Sequence, residues 1–145
     1  MERDEVRVIE THIDDMNPEL LGALMERLFA EGALDVAYAP LQMKKNRPGV
    51  KLTVIAPPAL LVYLSRIILL ESTAIGVRHY PAERLKLERS AETRQTTLGP
   101  IRVKVLREEG AVVRIAPEFE ECRRLARESG LPLAEVYRMV ERETA

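Results

Sequence analysis

Val50-Lys51-Leu52-Thr53-Val54 places apolar residues on every second position with Lys51 and Thr53 between them. That alternation predicts a strand with one buried face. Pro57-Pro58 stops it. Upstream, Leu34 to Met43 predicts a second strand, broken late by Pro40, and Pro48-Gly49 predicts the turn between the two. Further out, Leu20, Leu21, Leu24, Leu28 and Phe29 form a helical stripe. Asn17 suits its N-cap, Pro18 its first position and Gly32 its end. Val6 to Ile13 predicts a strand before it. Downstream, Leu60, Leu61, Leu64, Ile67 and Ile68 predict another helix, ending near Thr73–Gly76, and Val77 to Leu87 another strand.

The resulting order, β-α-β-β-α-β, is the split βαβ, ferredoxin-like pattern. It predicts an α+β fold, a four-stranded antiparallel sheet with two helices on one face. A seam near Ser90–Glu92 divides a domain over residues 1–90 from a smaller unit over 91–145. In the latter, Arg94–Thr97 predicts a short strand, and Ile101, Val103 and Val105 alternate after a Gly99-Pro100 turn. Glu109-Gly110 predicts a hairpin answered by Val113 and Ile115. Helices follow after Pro117, with Phe119, Cys122, Leu125 and Ala126 on one face, and after Pro132, with Val136, Tyr137 and Val140 inward.

The chain has 145 residues, 46% apolar and 31% charged, with a net charge of −1. This balance argues against a general nucleic-acid binder, which needs a surplus of Lys and Arg to displace counterions. Two Phe and four Tyr without an aromatic-rich strand argue against a single-stranded RNA reader on this topology. Cys122 is the sole cysteine, so neither an internal disulfide nor a Cys-rich metal site can form within one chain. A reducing, cytoplasmic setting fits. No apolar run reaches membrane-spanning length, and Met-Glu-Arg-Asp-Glu at the start lacks a signal-peptide core.

Two charged clusters carry the chemistry. Asp14-Asp15 sit at the mouth of the first helix, where paired carboxylates can hold a hard or borderline cation, or can simply complement the helix dipole. Lys44, Lys45 and Arg47 flank Asn46 in the following turn, where they can hold phosphate oxygens or can simply be a solvated turn. Ser72, Thr73 and Arg78 are expected at the same sheet edge as that turn, completing a polyphosphate cradle, with Lys104 of the later hairpin adding to it. With the first and third strands taken as parallel, Asp14 and Asp15 fall at the other edge, roughly 20 Å away. They would then reach the cradle only from a neighbouring subunit, so a homo-oligomer is expected. His12 and His79 have no metal-ligand spacing, and Cys122 sits on an inward stripe.

Glu10-Thr11-His12-Ile13-Asp14-Asp15-Met16-Asn17-Pro18-Glu19 and Met43-Lys44-Lys45-Asn46-Arg47-Pro48-Gly49 resemble two motifs of the C-terminal region of the LarC nickel insertion family. His12 stands where the family pattern has Asn. Glu71 to Arg78 resembles a third motif, with Ser72, Ala74 and Ile75 differing. The resemblance covers nearly the whole chain and implies an isolated C-terminal domain whose partner is the family's N-terminal domain. It implies a nickel chelatase, or cyclometallase, of the lyase class. Such an enzyme inserts Ni²⁺ into pyridinium-3,5-bisthiocarboxylic acid mononucleotide while CTP is cleaved to CMP and pyrophosphate with Mn²⁺ or Mg²⁺. On that basis Lys44, Lys45, Asn46, Arg47, Ser72, Thr73, Arg78 and Lys104 would bind the nucleotide, and Asp14 and Asp15 the metal. The competing reading is a non-catalytic regulatory or oligomerisation module, because this topology hosts many unrelated functions.

Overall fold

The computed structural model describes residues 1–144, which divide into two units: Arg3–Arg84, and Met1–Glu2 with the chain from Leu85 onward. The first unit is built from β1 (Glu2–Ile13), α1 (Pro18–Ala30), β2 (Asp35–Met43), β3 (Arg47–Ala56), α2 (Leu61–Glu71) and β4 (Arg78–Lys86). Its sheet has the order β2-β3-β1-β4. β3 is antiparallel to both β1 and β2, with Ile9 opposite Val54, Thr11 opposite Leu52 and Tyr38 opposite Leu52. This is the expected ferredoxin-like α+β architecture.

Alternation along the strands decides the core. Ile9, Leu52, Val54 and Ala56 face Leu24 and Leu28 of α1 and Leu64, Ile67 and Ile68 of α2, so both helices cover one face. Each fully buried Leu or Ile here contributes roughly 1.5–3 kcal/mol. Glu10 and His12 point to the face away from α1 and α2, where Val6 and Val8 are buried nearer the start of β1.

Local signals end the helices as the sequence predicts. The Asn17 side chain accepts a hydrogen bond from the Glu19 amide at 3.0 Å, and Pro18 opens α1. Gly32 follows α1 at φ +98°, a left-handed conformation that calls for glycine, and an added Cβ would also displace the tip of Leu60 at 2.9 Å. Ser72 closes α2 by donating its hydroxyl to the Ile68 carbonyl at 2.6 Å.

One expectation fails between β2 and β3. Pro48-Gly49 is not the turn; both residues lie inside β3, and the turn is the short 3₁₀ segment Lys44–Asn46. Pro48 is tolerated because it pairs with Gln42 of β2 beyond the last β1 partner, Ile13 opposite Val50. There β3 has a strand on one side only.

The second unit holds β5 (Glu88–Thr96), β6 (Gly99–Glu108), β7 (Ala111–Pro117), α3 (Phe119–Ser129) and α4 (Leu133–Thr144). Glu109 and Gly110 take φ +51° and +80°, making the tight hairpin turn between β6 and β7. A register shift near Leu106/Arg107 takes Val113 out of the ladder. β5 runs well beyond the expected Arg94–Thr97, and the expected seam falls inside it. Ile101, Val103 and Val105 pack on Cys122, Leu125, Val136 and Val140. Burial first, then the carboxylates of Glu141 and Glu121, pushes the Cys122 thiol up and disfavours a metal-binding thiolate. Among the described residues, no helix is long and apolar enough to cross a membrane.

Candidate functional site

β1 and β2 are both antiparallel to β3, so they run the same way and end at the same sheet edge. The expectation that the first and third strands are parallel is therefore wrong, and with it the 20 Å separation. Asp14 leaves β1 and Lys44–Arg47 leaves β2 side by side: Arg47 Nη1 lies 3.4 Å from Asp14 Oδ2. The carboxylates and the basic turn meet within one chain. Ile13, Asp14, Asp15, Met16, Pro48 and Gly49 line a cleft of about 230 Å³ there.

Two contacts bring the α2–β4 connection to this edge. Thr73 donates its hydroxyl to Asp15 Oδ1 at 2.5 Å, and Thr11 donates to the Gly76 carbonyl at 2.9 Å. Gly49 permits the close approach of β1 and β3. A Cβ there would meet the Ile13 carbonyl oxygen at 2.7 Å, Met43 Sδ at 2.7 Å and Asp14 Cβ at 3.3 Å.

The basic turn is presented at a cost. Lys45 takes φ 60°, ψ 24° and Asn46 φ 58°, two successive non-glycine residues in the left-handed region. Each such residue costs on the order of 1 kcal/mol. Gln42 Nε2 donates to Asn46 Oδ1 at 3.0 Å and braces the turn. Lys44 and Lys45 are exposed, and neither has a partner among the described residues. Asp14 is largely covered, with 17% of its side chain exposed.

The remaining expected residues separate from this group. Ser72 uses its hydroxyl in the α2 cap and accepts from the Ala74 amide at 3.2 Å, so it is not free for phosphate. Arg78 is tied down on the face away from α1 and α2, its Nε donating to Glu10 Oε2 at 3.1 Å and its Nη2 lying 2.6 Å from His12 Nε2. Lys104 belongs to the second unit, opposite Ala91 and Ala116 on β6. Sequence reading missed Glu10 and Lys51, which are joined at 3.0 Å. The signal was present in the polar even positions of β1 and the lysine at the centre of the β3 alternation.

Hydrogen bonds from Lys51 first and Arg78 second hold the Glu10 carboxyl below its usual value of 4.5. A carboxyl lowered on folding stabilises the fold above its unfolded value, and the benefit disappears as pH falls through the folded one. Urea unfolding between pH 6 and pH 3 should therefore show wild type losing more stability on acidification than Glu10→Gln; parallel curves would remove Glu10 from the linkage.

Among the described residues, no three His, Cys, Asp or Glu side chains converge into a ready metal-ligand set. Asp14, Asp15 and the Thr73 hydroxyl instead offer a few hard oxygen donors. That suits a Mg²⁺- or Mn²⁺-like ion that completes its shell with water and phosphate oxygens.

The profile of the nickel insertion protein family matches residues 1–137. Two relatives bearing the name "Putative nickel insertion protein" are 66% identical over 143 residues in Geotalea uraniireducens and 64% identical over 145 residues in Geotalea daltonii. They are matched over 99% and 100% of this chain, which spans 37% of the length of each. Among solved structures, LarC2, the C-terminal domain of a cyclometallase involved in synthesis of the NPN cofactor of lactate racemase, superimposes with a TM-score of 0.93 at 36% identity, covering 99% of both chains. Protein MK0293 of Methanopyrus kandleri superimposes with a TM-score of 0.70 at 30% identity, covering 96% of this chain and 88% of the other. The chain belongs to the nickel insertion protein family.

Proposed function

We propose that this chain is the metal–CTP-binding domain of a CTP-dependent nickel insertion enzyme. The full enzyme would place Ni²⁺ into pyridinium-3,5-bisthiocarboxylic acid mononucleotide as CTP is cleaved to CMP and pyrophosphate. The observation that carries this reading is the meeting of Asp14, Asp15, Lys44, Lys45, Arg47 and Thr73 at one sheet edge. Lys44 and Lys45 bind triphosphate oxygens from a turn already bent into place, with Asn46 bracing it. Arg47 neutralises Asp14 until a cation replaces it there, and is then free to turn to phosphate. Thr73 orients Asp15. A Mn²⁺ or Mg²⁺ ion, when bound, offsets charge developing on the leaving pyrophosphate.

A second reading, an assembly module, is favoured by the apolar surface beside α2. Val62 and Leu70 are 79% and 72% exposed, next to a groove lined by Leu61, Leu69 and Val77. Calorimetry separates the two. The nucleotide reading expects Mn²⁺-dependent binding with CTP preferred over the other nucleoside triphosphates, weakened about tenfold or more by Asp15→Asn. No binding of any triphosphate leaves the module reading. Mixing Asp15→Ala with Lys45→Ala protein should restore no affinity, since both halves of the site lie in one chain; recovery would place the site between copies.

A further inference from the structure

On the face of the sheet away from α1 and α2, three adjacent strands contribute to one polar group. Glu10 and His12 come from β1, Lys51 from β3 directly opposite His12, and Arg78 from β4. Glu10, 11% exposed, receives Lys51 Nζ at 3.0 Å and Arg78 Nε at 3.1 Å. Arg78 Nη2 lies 2.6 Å from His12 Nε2. Glu10 and His12 thus hold Arg78 from two sides, and Glu10 holds Lys51.

The charges do not balance. One carboxylate faces two cations. Lys51 spends one of three protons on Glu10, and Arg78 spends only Nε and Nη2. The other donors have no acceptor among the described residues, and Arg78 is 53% exposed. A plain cross-strand ion pair would need one cation. Two cations on either side of a largely covered carboxylate keep spare donors that a second anion can take.

We propose that Lys51 and Arg78, positioned by Glu10 and His12, form an oxyanion subsite for a carboxylate or phosphate monoester carried by a ligand other than the nucleotide. His12 precedes Asp14 by two residues, about 7 Å along a strand. A molecule anchored here lies beside the metal-binding edge. Its role as the partner substrate of that edge rests on the metal–CTP reading; the subsite itself does not.

Amide NMR titration of the 145-residue chain with inorganic phosphate, and separately with succinate, tests this. Saturable shifts at His12, Lys51 and Arg78 are expected, with the tighter anion identifying phosphate or carboxylate as the source. Lys51→Ala and Arg78→Ala should each weaken binding at least tenfold, Lys51→Met should reproduce the first, and Arg123→Ala should change nothing. Absence of saturable shifts at those positions, or equal weakening by Arg123→Ala, overturns the subsite. Calorimetry with Mn²⁺ and CTP keeps the two readings apart. Near wild-type nucleotide affinity in Lys51→Ala is expected, and its loss together with anion binding would overturn a separate subsite. Failure of wild type to bind Mn²⁺–CTP would overturn the metal–CTP reading while the anion titration still stood.

Discussion

Replacing Lys44 and Lys45 together by alanine should lower affinity for Mn²⁺–CTP by about 10²- to 10³-fold without lowering the unfolding temperature. A hydrogen bond to a charged group is worth about 1.5–3 kcal/mol, and tenfold in affinity is about 1.4 kcal/mol. Losing two such contacts near the lower part of that range removes about 3–4 kcal/mol. Stability should hold because both side chains are exposed and unpartnered. Lys45→Gly sharpens the test. It relieves a left-handed residue, raising stability by about 1 kcal/mol, while it removes a cation. Calorimetry with thermal unfolding would then show affinity falling as stability rises. Unchanged affinity in the double variant would end the role of this turn in triphosphate binding.

Gly49→Ala should damage fold and site together. Its Cβ would press on the Ile13 carbonyl and Met43 Sδ at 2.7 Å, and the first of these is backbone and cannot rotate away. Overpacking of this kind costs about 1–3 kcal/mol. The relief available is for β1 and β3 to part at their last pair, Ile13 opposite Val50. That moves Asp14 away from Arg47 and opens the cleft. Urea unfolding should show the loss, and Mn²⁺-dependent CTP binding should fall by more than tenfold. A variant with wild-type stability and affinity would mean that the approach of the two strands is slack.

Most of the first unit was legible because each of its elements carries its own signal. The α1 stripe, the Asn17-Pro18 start, Gly32 and the alternation in β3 are all local. β5 was largely invisible because its inward positions include Ser90, Glu92 and Arg94 rather than aliphatic residues. They bond to one another and to Arg107: Arg94 donates to Glu92 at 2.8 Å, and Arg107 donates to Ser90 and Glu92, while Arg94 Nε stays buried without a partner among the described residues. Such a network leaves no hydrophobic periodicity to read. The site was half legible. Its carboxylates and lysines stood out by type and spacing, but strand direction is set by pairing. Inserting β3 between β1 and β2 makes those two strands parallel, a relation absent from either segment alone. Pro48-Gly49 misled for a similar reason, since a dipeptide that usually turns here serves a strand flanked on one side only.

Period-two alternation in β1 has a consequence for how this chain tolerates change. Ile9 and Thr11 point toward the helices while Glu10 and His12 point away. A one-residue slip over Ile9–His12 would exchange the two sets, driving Glu10 and His12 into the oily layer and turning Ile9 out of it. A two-residue indel instead preserves the parity of the ladder.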